Sequence, residues 1–387
     1  MIAGEPSGDV LGGRLMVALK RQSDSPLRFI GVGGDRMIGE GLDSLFDMRE
    51  LSVMGYFEVI PKIIGLLARI RETVEAARRL RPDVVITIDS PDFTFRVAAK
   101  LKGLGAPLIH YVAPQVWAHR PGRAAKIAGF LDHILALLPF EPPLFEAHGL
   151  PCTYVGHAIV EEGADAGDGP DFRRRHAIPA DAPLIAALPG SRHGEVARHL
   201  PIFGAALGRL AATRPGLRAV VPTVAAVAEA VARGTADWPV ETLVVSGAEE
   251  KYHAFAAAHA ALAASGTVAL ELAIAALPTV IAYKANAVTA WAMRRVVLVP
   301  YACLVNLILD RPVVPEFIQE RCRPELLAEA VANLLDDPEA RAAQIGAARR
   351  AVEILGLGGA SPSERAAEVV LGIIAEKSLT GSGIGAR

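Results

Sequence analysis

Short apolar runs alternate along most of the chain with longer stretches of helical periodicity, such as Ile70–Leu80. Short runs separated by amphipathic helices are typical of βαβ units, whose strands pair into a parallel sheet. After a short apolar start at Met1–Ala3, the predicted strands are Phe29–Val32, Val84–Ile88, Leu108–Val112, Ile134–Leu138, Tyr154-Val155, Leu184–Leu188, Leu217–Val221, Leu243–Val245, Ala260–Ala264 and Thr279–Tyr283.

The predicted strands fall into two groups on either side of Ala164–Pro170, a Gly- and Asp-rich segment with the composition of a linker. A chain of 387 residues is also too long for one comfortable core. We therefore predict an α/β protein with two Rossmann-like, doubly wound parallel-sheet domains, residues 1–163 and 171–352, facing one another across a cleft. Residues 353–378 contain a last helix, which belongs to the second domain or packs back on the first, and 379–387 form a flexible tail.

Leu184–Glu195 predicts a buried strand, a tight turn at Pro189-Gly190 and a helix that begins near Glu195. The start of a helix presents free backbone N–H groups and the positive end of the helix dipole, which suit a phosphate. Ser191 and Arg192 lie at this point, and the guanidinium of Arg192 adds a fixed fork of donors.

Ala264–Glu271 is a second strand-to-helix junction. Ser265, Gly266 and Thr267 offer hydroxyls and backbone N–H groups to a phosphate. Glu271 lies one helical turn after Thr267, where its carboxylate can accept hydrogen bonds from the hydroxyls of a ribose. The alternative is a capping motif with a solvated glutamate. Together with Ser191-Arg192 on a neighbouring strand, the motif favours a nucleotide diphosphate.

Polar loops also follow the strands of the first domain, at Gly4–Asp9, Asp89–Asp92 and Pro114–Arg120. Ligands of parallel sheets bind beyond the carboxyl ends of the strands. Asp89 directly follows a strand and can accept a proton from a substrate hydroxyl; the alternative is a helix cap, for which Asp92 is better placed.

The first of these loops carries three more candidates. Glu5 either binds sugar hydroxyls or solvates a turn. Ser7 or Asp9 can cap a helix from Val10 to about Arg21.

Residues 53–71 carry more apolar side chains than one face of a helix needs, with Lys62, Arg69 and Arg71 beside them. The excess indicates either a surface for acyl chains or a membrane, or ordinary core packing with a dimer contact. From the residues alone, core packing is the simpler interpretation. The apolar set is represented by Phe57, Ile60, Ile63, Ile64 and Leu67.

Composition narrows the classes of function. The net charge of −2 gives no nucleic-acid signature. Three cysteines without CxxC spacing indicate neither a disulfide framework nor a metal site, and no apolar run is long enough to span a bilayer. Neither Gly4–Gly8 nor Gly31–Gly34 has the spacing and following acid of a dinucleotide fingerprint, which argues against a nicotinamide cofactor.

Eight motifs in order along the chain together resemble the lipid-A-disaccharide synthase family: AGEPSGD (3–9), VMGYFEV (53–59), IDSPDF (88–93), HYVAPQVWA (110–118), LLPFE (137–141), YVGH (154–157), LPGSR with Glu195, and ASGTVALE (264–271). The resemblance implies the GT-B glycosyltransferase fold. It implies transfer of 2,3-diacylglucosamine from UDP to 2,3-diacylglucosamine 1-phosphate, with a β-1,6 bond formed, UDP released, and neither metal nor cofactor required. It places the protein in the cytoplasm, peripherally on the inner face of the Gram-negative inner membrane, and is compatible with a homodimer.

The resemblance also implies roles for individual residues. Asp89 would be the general base on the acceptor 6-hydroxyl, and Arg192, beside Ser191, would stabilise the departing diphosphate. Residues 53–71 would be the acyl or membrane patch. Substrate-binding residues would be Glu5, Ser7 and Asp9 near the sugars, Ser265, Gly266 and Thr267 at the phosphates, Glu271 at the ribose, and Asn306 and Gln319 in the cleft. His157 either contacts the nucleotide or caps a strand.

This sequence departs from the family pattern in three places: only Met1 and Ile2 precede AGE, where the family commonly has several apolar residues; His119 replaces a usual tryptophan; and Val305 replaces a usual proline. Three alternatives stay open. A UDP-N-acetylglucosamine 2-epimerase would use the same nucleotide loop and ribose glutamate without an acyl patch. A nucleotide-sugar-binding regulatory module would tolerate loss of Asp89. A different glycosyltransferase, such as one that acts on a lipid-linked peptidoglycan precursor, is the third.

Overall fold

The computed structural model describes residues 1–51, 59–118, 122–286, 290–291 and 298–382, with only the backbone at 59–64 and 380–382. The chain divides into two compact units. Unit 1 comprises Met1–Ala158 and Gly358–Arg387, and unit 2 comprises Ile159–Leu357. No helix in the described ranges combines the length and apolarity needed to cross a membrane.

Unit 1 is built on parallel strands whose spatial order is β1-β4-β5-β6-β7. A parallel pair, β2 and β3, is linked to β1 by a bridge between Ile2 and Val32. The strand order of the whole layer is therefore 3-2-1-4-5-6-7. All strands stay parallel, but the order in which the chain adds them to the sheet reverses between β1 and β4, which we call the reversal point. The strands are β1 (Ile2–Ala3), β2 (Phe29–Gly31), β3 (Leu42–Ser44), β4 (Val85–Ile88), β5 (Leu108–Tyr111), β6 (His133–Ala136) and β7 (Cys152–Tyr154).

The helices of unit 1 follow its strands and cover a core in which the residues of β4 and β5 are all buried. Continuous burial explains why these strands read as uninterrupted apolar runs. The helices are α1 (Pro6–Gln22), α2 (Asp35–Gly39), α3 (Val59–Leu80), α4 (Pro91–Leu101), α5 (Arg123–Ala128) and α6 (Pro142–Glu146).

Unit 2 has a parallel sheet in the order β10-β9-β8-β11-β12-β13. This is the 3-2-1-4-5-6 order of dinucleotide-binding folds, with its reversal between β8 and β11. The strands are β8 (Leu184–Leu188), β9 (Arg218–Thr223), β10 (Glu241–Ser246), β11 (Ala260–Ala264), β12 (Thr279–Tyr283) and β13 (Glu316–Ile318). The helices are α7 (Gly169–Arg175), α8 (His193–Ala211), α9 (Ala228–Thr235), α10 (Ala248–Ala257), α11 (Val268–Ile274), α12 (Leu304–Leu309), α13 (Pro324–Asp336) and α14 (Pro338–Ile354).

The last helix, α15 (Pro362–Ser382), lies in unit 1 although unit 2 precedes it in the chain. Ala366, Ala367 and Val370 are fully buried in the core of unit 1. The amide of Gln22, at the end of α1, donates to the backbone oxygen of Glu364 at 3.0 Å. Helix α15 therefore completes the packing around α1.

The α/β class and the two parallel sheets are confirmed, whereas the predicted helix caps are wrong. Helix α1 begins at Pro6 with Glu5 in the N-cap position, so Ser7 and Asp9 lie inside its first turn. Ser90, not Asp92, is in the N-cap position of α4, and Pro91 follows it. Proline is favoured in the first turn because its missing N–H and fixed φ suit that position, so each helix begins earlier than its polar residues indicate.

Candidate active site

The most informative loops of unit 2 lie at the reversal point of its sheet. Strands β8 and β11 are neighbours, and Leu188 at the end of one pairs with Ala263 near the end of the other. The loops that follow them, 189–192 and 265–267, therefore emerge side by side. Ligands of doubly wound sheets bind at this position because the flanking loops diverge there.

The loop after β8 is held by Glu195, whose side chain is 12% exposed. Glu195 accepts a hydrogen bond from the Ser191 N–H at 3.3 Å and one from Arg192 Nη1 at 3.1 Å. Gly190 has a φ of 122°, and a Cβ there would lie 2.7 Å from the Cβ of Glu195, so only glycine fits. Arg192 occupies the N-cap position of α8, and its side chain is 83% exposed. The guanidinium is thus oriented by Glu195 and still accessible to an anion.

The loop after β11 presents exposed backbone. Gly266 and Thr267 are exposed, and a Cβ at Gly266 would meet no atom within 4 Å. The Ser265 hydroxyl donates to the backbone oxygen of Ala302 at 2.9 Å, so its lone pairs are left to accept. A ligand can approach the backbone closely at Gly266.

Glu271 is held by a lysine that sequence reasoning missed. Lys251 Nζ lies 2.8 Å from Glu271 Oε1, and the two side chains are 24% and 12% exposed. Burial raises the pKa of Glu271, whereas the Lys251 ammonium opposes the rise. Lys251 also lies over the ring of Tyr252, 4.7 Å from its centroid. The pairing fixes one carboxylate oxygen of Glu271 and brings a positive charge to the predicted ribose site.

The predicted cleft residue Asn306 is fully buried and fully hydrogen-bonded. Its amide donates to Val314 O at 2.8 Å and to Glu316 Oε1 at 2.7 Å. Its oxygen accepts from the N–H groups of Val313 and Val314 at 2.9 and 2.8 Å. These four bonds hold the loop between α12 and β13, so contact with substrate is a prediction that the hydrogen bonding of Asn306 does not favour.

Two other predicted contacts differ in environment. Gln319 follows β13, is half-buried and has a φ of 55°, a backbone conformation uncommon outside glycine. His157 belongs to unit 1, where burial lowers its pKa to about 4. Its imidazole is therefore neutral near pH 7 and can accept a hydrogen bond as well as donate one.

The reversal point of the sheet in unit 1 carries the predicted base. Ala3 at the end of β1 pairs with Ile88 at the end of β4, so the segments 4–9 and 89–92, each a short loop and the start of a helix, lie together. Asp89 has a φ of 48° and Ser90 a φ of 45°, both in the left-handed region. Each such residue costs on the order of 1–3 kcal/mol, and strain of this kind concentrates at functional sites.

The Asp89 carboxylate is half-buried and accepts a hydrogen bond from the Ser7 hydroxyl at 3.1 Å. The Asp89 backbone is also fixed, since its N–H donates to Tyr111 O at 3.0 Å and its carbonyl accepts from Thr94 Oγ1 at 2.7 Å. The structure thus brings together two of the predicted residues, Ser7 in the first turn of α1 and Asp89 directly after β4. Glu5 is exposed beside them.

Asp9, at the start of α1, has a structural role. Its buried carboxylate accepts from the N–H groups of Gly34, Arg36 and Met37 at 2.8, 3.0 and 3.0 Å. It therefore joins α1 to the start of α2. Contact of Asp9 with a sugar stays a prediction, and its two oxygens are already occupied.

Glu141 is the second residue that sequence reasoning missed, although it lies within a motif that carries the family resemblance. Its buried carboxylate accepts from Trp117 Nε1 at 3.1 Å and from the N–H groups of Leu137 and Leu138 at 3.1 and 2.9 Å. Burial raises the pKa of Glu141 to about 7, against the three hydrogen bonds. No signal of spacing links Trp117 to a carboxylate so far along the chain.

The predicted acyl or membrane patch is described only in part. Phe57 and His119 lie outside the described residues, and at Ile60, Ile63 and Ile64 the backbone alone is described, in the first turns of α3. Leu67 on the same helix is 49% exposed. Within the described ranges, no three His, Cys, Asp or Glu side chains are grouped as metal ligands would be.

Two Rossmann-like units, each with its polar loops at the reversal point of its sheet, define the GT-B class of nucleotide-sugar enzymes. Solved structures share this fold. UDP-GlcNAc 2-epimerase from Neisseria meningitidis bound to UDP-GlcNAc superposes with a TM-score of 0.62 over 97% of this chain and 98% of that chain, at 12% identity. MurG from Acinetobacter baumannii superposes with a TM-score of 0.57 over 96% and 98%, at 16% identity.

Sequence comparison identifies the family. The family model for lipid-A-disaccharide synthetase matches residues 1–370. Lipid-A-disaccharide synthase from Rhodospirillum centenum is 55% identical over 379 residues, which cover 97% of this chain and 94% of the relative. The enzyme from Paramagnetospirillum magneticum is 50% identical over 378 residues, 97% of each chain. The chain belongs to the lipid-A-disaccharide synthase family and is a glycosyltransferase of lipid A biosynthesis. The family indicated by the motifs is confirmed, and the likeness to the epimerases concerns the fold alone.

Proposed function

We propose that this chain transfers 2,3-diacylglucosamine from UDP-2,3-diacylglucosamine to 2,3-diacylglucosamine 1-phosphate. The products are the β-1,6-linked disaccharide 1-phosphate and UDP. The observation that carries the proposal is the family match over residues 1–370. The strained, hydrogen-bonded position of Asp89 supports the assignment of the base.

Asp89 accepts the proton of the acceptor 6-hydroxyl while that oxygen attacks the anomeric carbon of the donor. The new carbon–oxygen bond forms as the bond to the UDP oxygen breaks, so a single displacement inverts the anomeric centre. The Ser7 hydroxyl, 3.1 Å from Asp89 Oδ2, fixes the direction of the carboxylate. Since a base must be within hydrogen-bond reach in a defined geometry, a rigid strand end suits this role. Glu5, exposed beside it, would bind sugar hydroxyls.

Unit 2 holds the donor in this proposal. Arg192 neutralises the charge that develops on the diphosphate, and Glu195 fixes its guanidinium; charge stabilisation of a leaving group in a preorganised site is a large catalytic contribution. The hydroxyls of Ser191 and Thr267 and the backbone N–H groups of residues 265–267 donate to the phosphates, whereas the Ser191 N–H and the Ser265 hydroxyl already donate within the protein. Glu271 accepts hydrogen bonds from the ribose. His157 and Gln319 are proposed as further contacts with the nucleotide or sugar.

We also propose that the protein works at the inner face of the inner membrane, with the 53–71 segment against the lipid. The exposure of Leu67 on α3 supports this location. Replacing Ile60 and Ile64 with serine should weaken binding to liposomes. Unchanged binding would instead favour the alternative, in which the segment packs in the core. A homodimer stays an expectation, which sedimentation of the purified protein would test.

The experiment for the reaction supplies purified protein with both diacylated substrates in EDTA and follows UDP and disaccharide. Wild type should form both, Asp89→Asn should lose at least about a hundredfold in kcat, and Arg192→Ala should lose about a hundredfold or more. Asp92→Asn is the matched control, because Asp92 is exposed three residues away. Absence of disaccharide with wild type would exclude the synthase, and full activity in Asp89→Asn would exclude the base. Epimerisation of UDP-N-acetylglucosamine would instead indicate the alternative enzyme.

A further inference from the structure

The buried carboxylate of Glu141 joins two loops at the carboxyl edge of the unit 1 sheet. One loop, residues 112–118, follows β5 and contains Trp117; the other, residues 137–141, follows β6. Glu141 Oε1 accepts from the indole N–H of the first loop, and Oε2 accepts from two backbone N–H groups of the second. Both oxygens are thus used, one for each loop.

The ring of Trp117 is also held by packing. It meets the ring of Phe140 edge to face, with centroids 5.4 Å apart and planes at 90°. This contact and the hydrogen bond fix both the tilt and the direction of the indole. Trp117 is half-buried, so part of its ring remains accessible at the surface.

This loop lies beside the proposed base. In the parallel sheet, β4 ends at Ile88, whose partner on β5 is Tyr111, and the partner of Tyr111 on β6 is Leu135. The loops that begin with Asp89, Val112 and Leu137 therefore leave the same edge of the sheet in adjacent positions. A rigid aromatic side chain next to a base is suited to bind the apolar face of a sugar ring.

A buried carboxylate is an energetically unfavourable acceptor for the backbone N–H groups of a turn. Burial penalises its charge, and a neutral side chain could accept the same backbone bonds at lower cost. Burial raises the pKa of Glu141 to about 7, although three hydrogen bonds act to lower it. What the carboxylate adds is a second acceptor oxygen, which reaches across to the indole N–H of another loop.

We propose that Glu141 is a positioning residue for the acceptor. It holds the indole of Trp117 so that the loop after β5 forms a fixed wall against the acceptor sugar, beside Asp89. The proposal rests on the proposed function, because it assigns the acceptor to unit 1. It predicts that disturbing Glu141 affects the acceptor and leaves the donor, bound by unit 2, unaffected.

The test compares Glu141→Gln, Trp117→Phe and the double variant in steady-state kinetics with each substrate varied in turn. The glutamine keeps one oxygen for the backbone N–H groups and turns a donor toward the indole N–H, so the link to Trp117 is lost. We expect the KM for the acceptor to rise about tenfold in each single variant and no further in the double variant. The KM for the UDP-sugar should stay within about twofold. Glu146→Gln, an exposed change at the end of α6, the helix that follows Glu141, is the matched control.

The outcomes separate the two proposals. If wild type forms no disaccharide, the proposed function and this inference fail together. If wild type is active and both KM values rise equally, or if the single effects add in the double variant, Glu141 is merely structural and the inference is overturned. Should Glu141→Gln not fold, Trp117→Phe alone decides, because it leaves both backbone bonds of Glu141 in place; an unchanged acceptor KM in that variant overturns the inference.

Discussion

Asp9→Asn tests whether one buried carboxylate holds α1 and the start of α2 together in unit 1. The carboxylate accepts three backbone N–H groups at the start of α2, from Gly34, Arg36 and Met37. Asparagine has the same shape but offers one oxygen, and its amide group turns a donor toward N–H groups that are themselves donors. At least one N–H therefore loses its acceptor inside the protein.

The expected loss in free energy of unfolding follows from these three hydrogen bonds. A hydrogen bond to a charged group contributes about 1.5–3 kcal/mol, and a buried donor left without an acceptor costs about 1–3 kcal/mol. Since bonds that share one carboxylate are not additive, we expect Asp9→Asn to lower the free energy of unfolding of unit 1 by about 3 kcal/mol. That is a large part of the total stability of roughly 5–15 kcal/mol that a protein domain has.

The assay is urea unfolding with hydrogen exchange read at the amides of residues 34, 36 and 37, because two units need not unfold together. Exchange at these amides should accelerate in Asp9→Asn. The control is Asp35→Asn, an exposed change in the first turn of α2 that should cost less than about 1 kcal/mol. A loss in Asp9→Asn no greater than in the control, with unchanged exchange, would refute the reasoning.

Three further predictions concern other buried or strained positions. The pKa of Glu141 in the folded protein is about 7, above its ordinary value of 4.5. The folded protein therefore binds this proton more tightly than the unfolded chain does. The resulting stabilisation is fully present below about pH 4.5 and is lost as the pH rises through 7. Between pH 5 and 8, wild type should lose up to about 3 kcal/mol of unfolding free energy relative to Glu141→Gln; parallel pH profiles would contradict this. Gly190→Ala should destabilise unit 2 by about 1–3 kcal/mol in thermal melts, because of its φ of 122° and the nearby Glu195, and an unchanged melt would show that the turn adapts. Asn306→Ala should cost about 3 kcal/mol in urea unfolding, since it leaves two N–H groups without an acceptor; a loss below about 1 kcal/mol would mean that water replaces the amide.

The elements that could be predicted most accurately are the buried central strands. Leu184–Leu188, Ala260–Ala264 and Thr279–Tyr283 were predicted with the bounds that the structure has, because each is an apolar run ended by turn residues. Leu42–Ser44 and Glu316–Ile318 were not predicted. These strands have three residues each and include polar side chains, so neither contains an apolar run long enough to predict a strand.

In the candidate site, too, some residues could be predicted from the sequence and others could not. The loops that carry Asp89, Arg192 and Glu271 could be located from sequence, because strand ends are local features. The partners that orient these loops could not, since Lys251 meets Glu271 and Glu141 meets Trp117 only through tertiary packing. Asp9 shows the converse: a carboxylate in a predicted sugar loop proved to be occupied by backbone from another element.

The place of α15 in unit 1 has a consequence for how the protein is made. The core around α1 is completed by Ala366, Ala367 and Val370, but the ribosome synthesises residues 159–357 before it reaches them. At roughly 5–20 residues per second, that interval lasts about 10–40 s. Throughout it the face of α1 that α15 covers is exposed, and by its end unit 2 has its whole chain. Unit 2 can therefore fold first in the growing polypeptide, and the unit that begins the chain is the last to be closed.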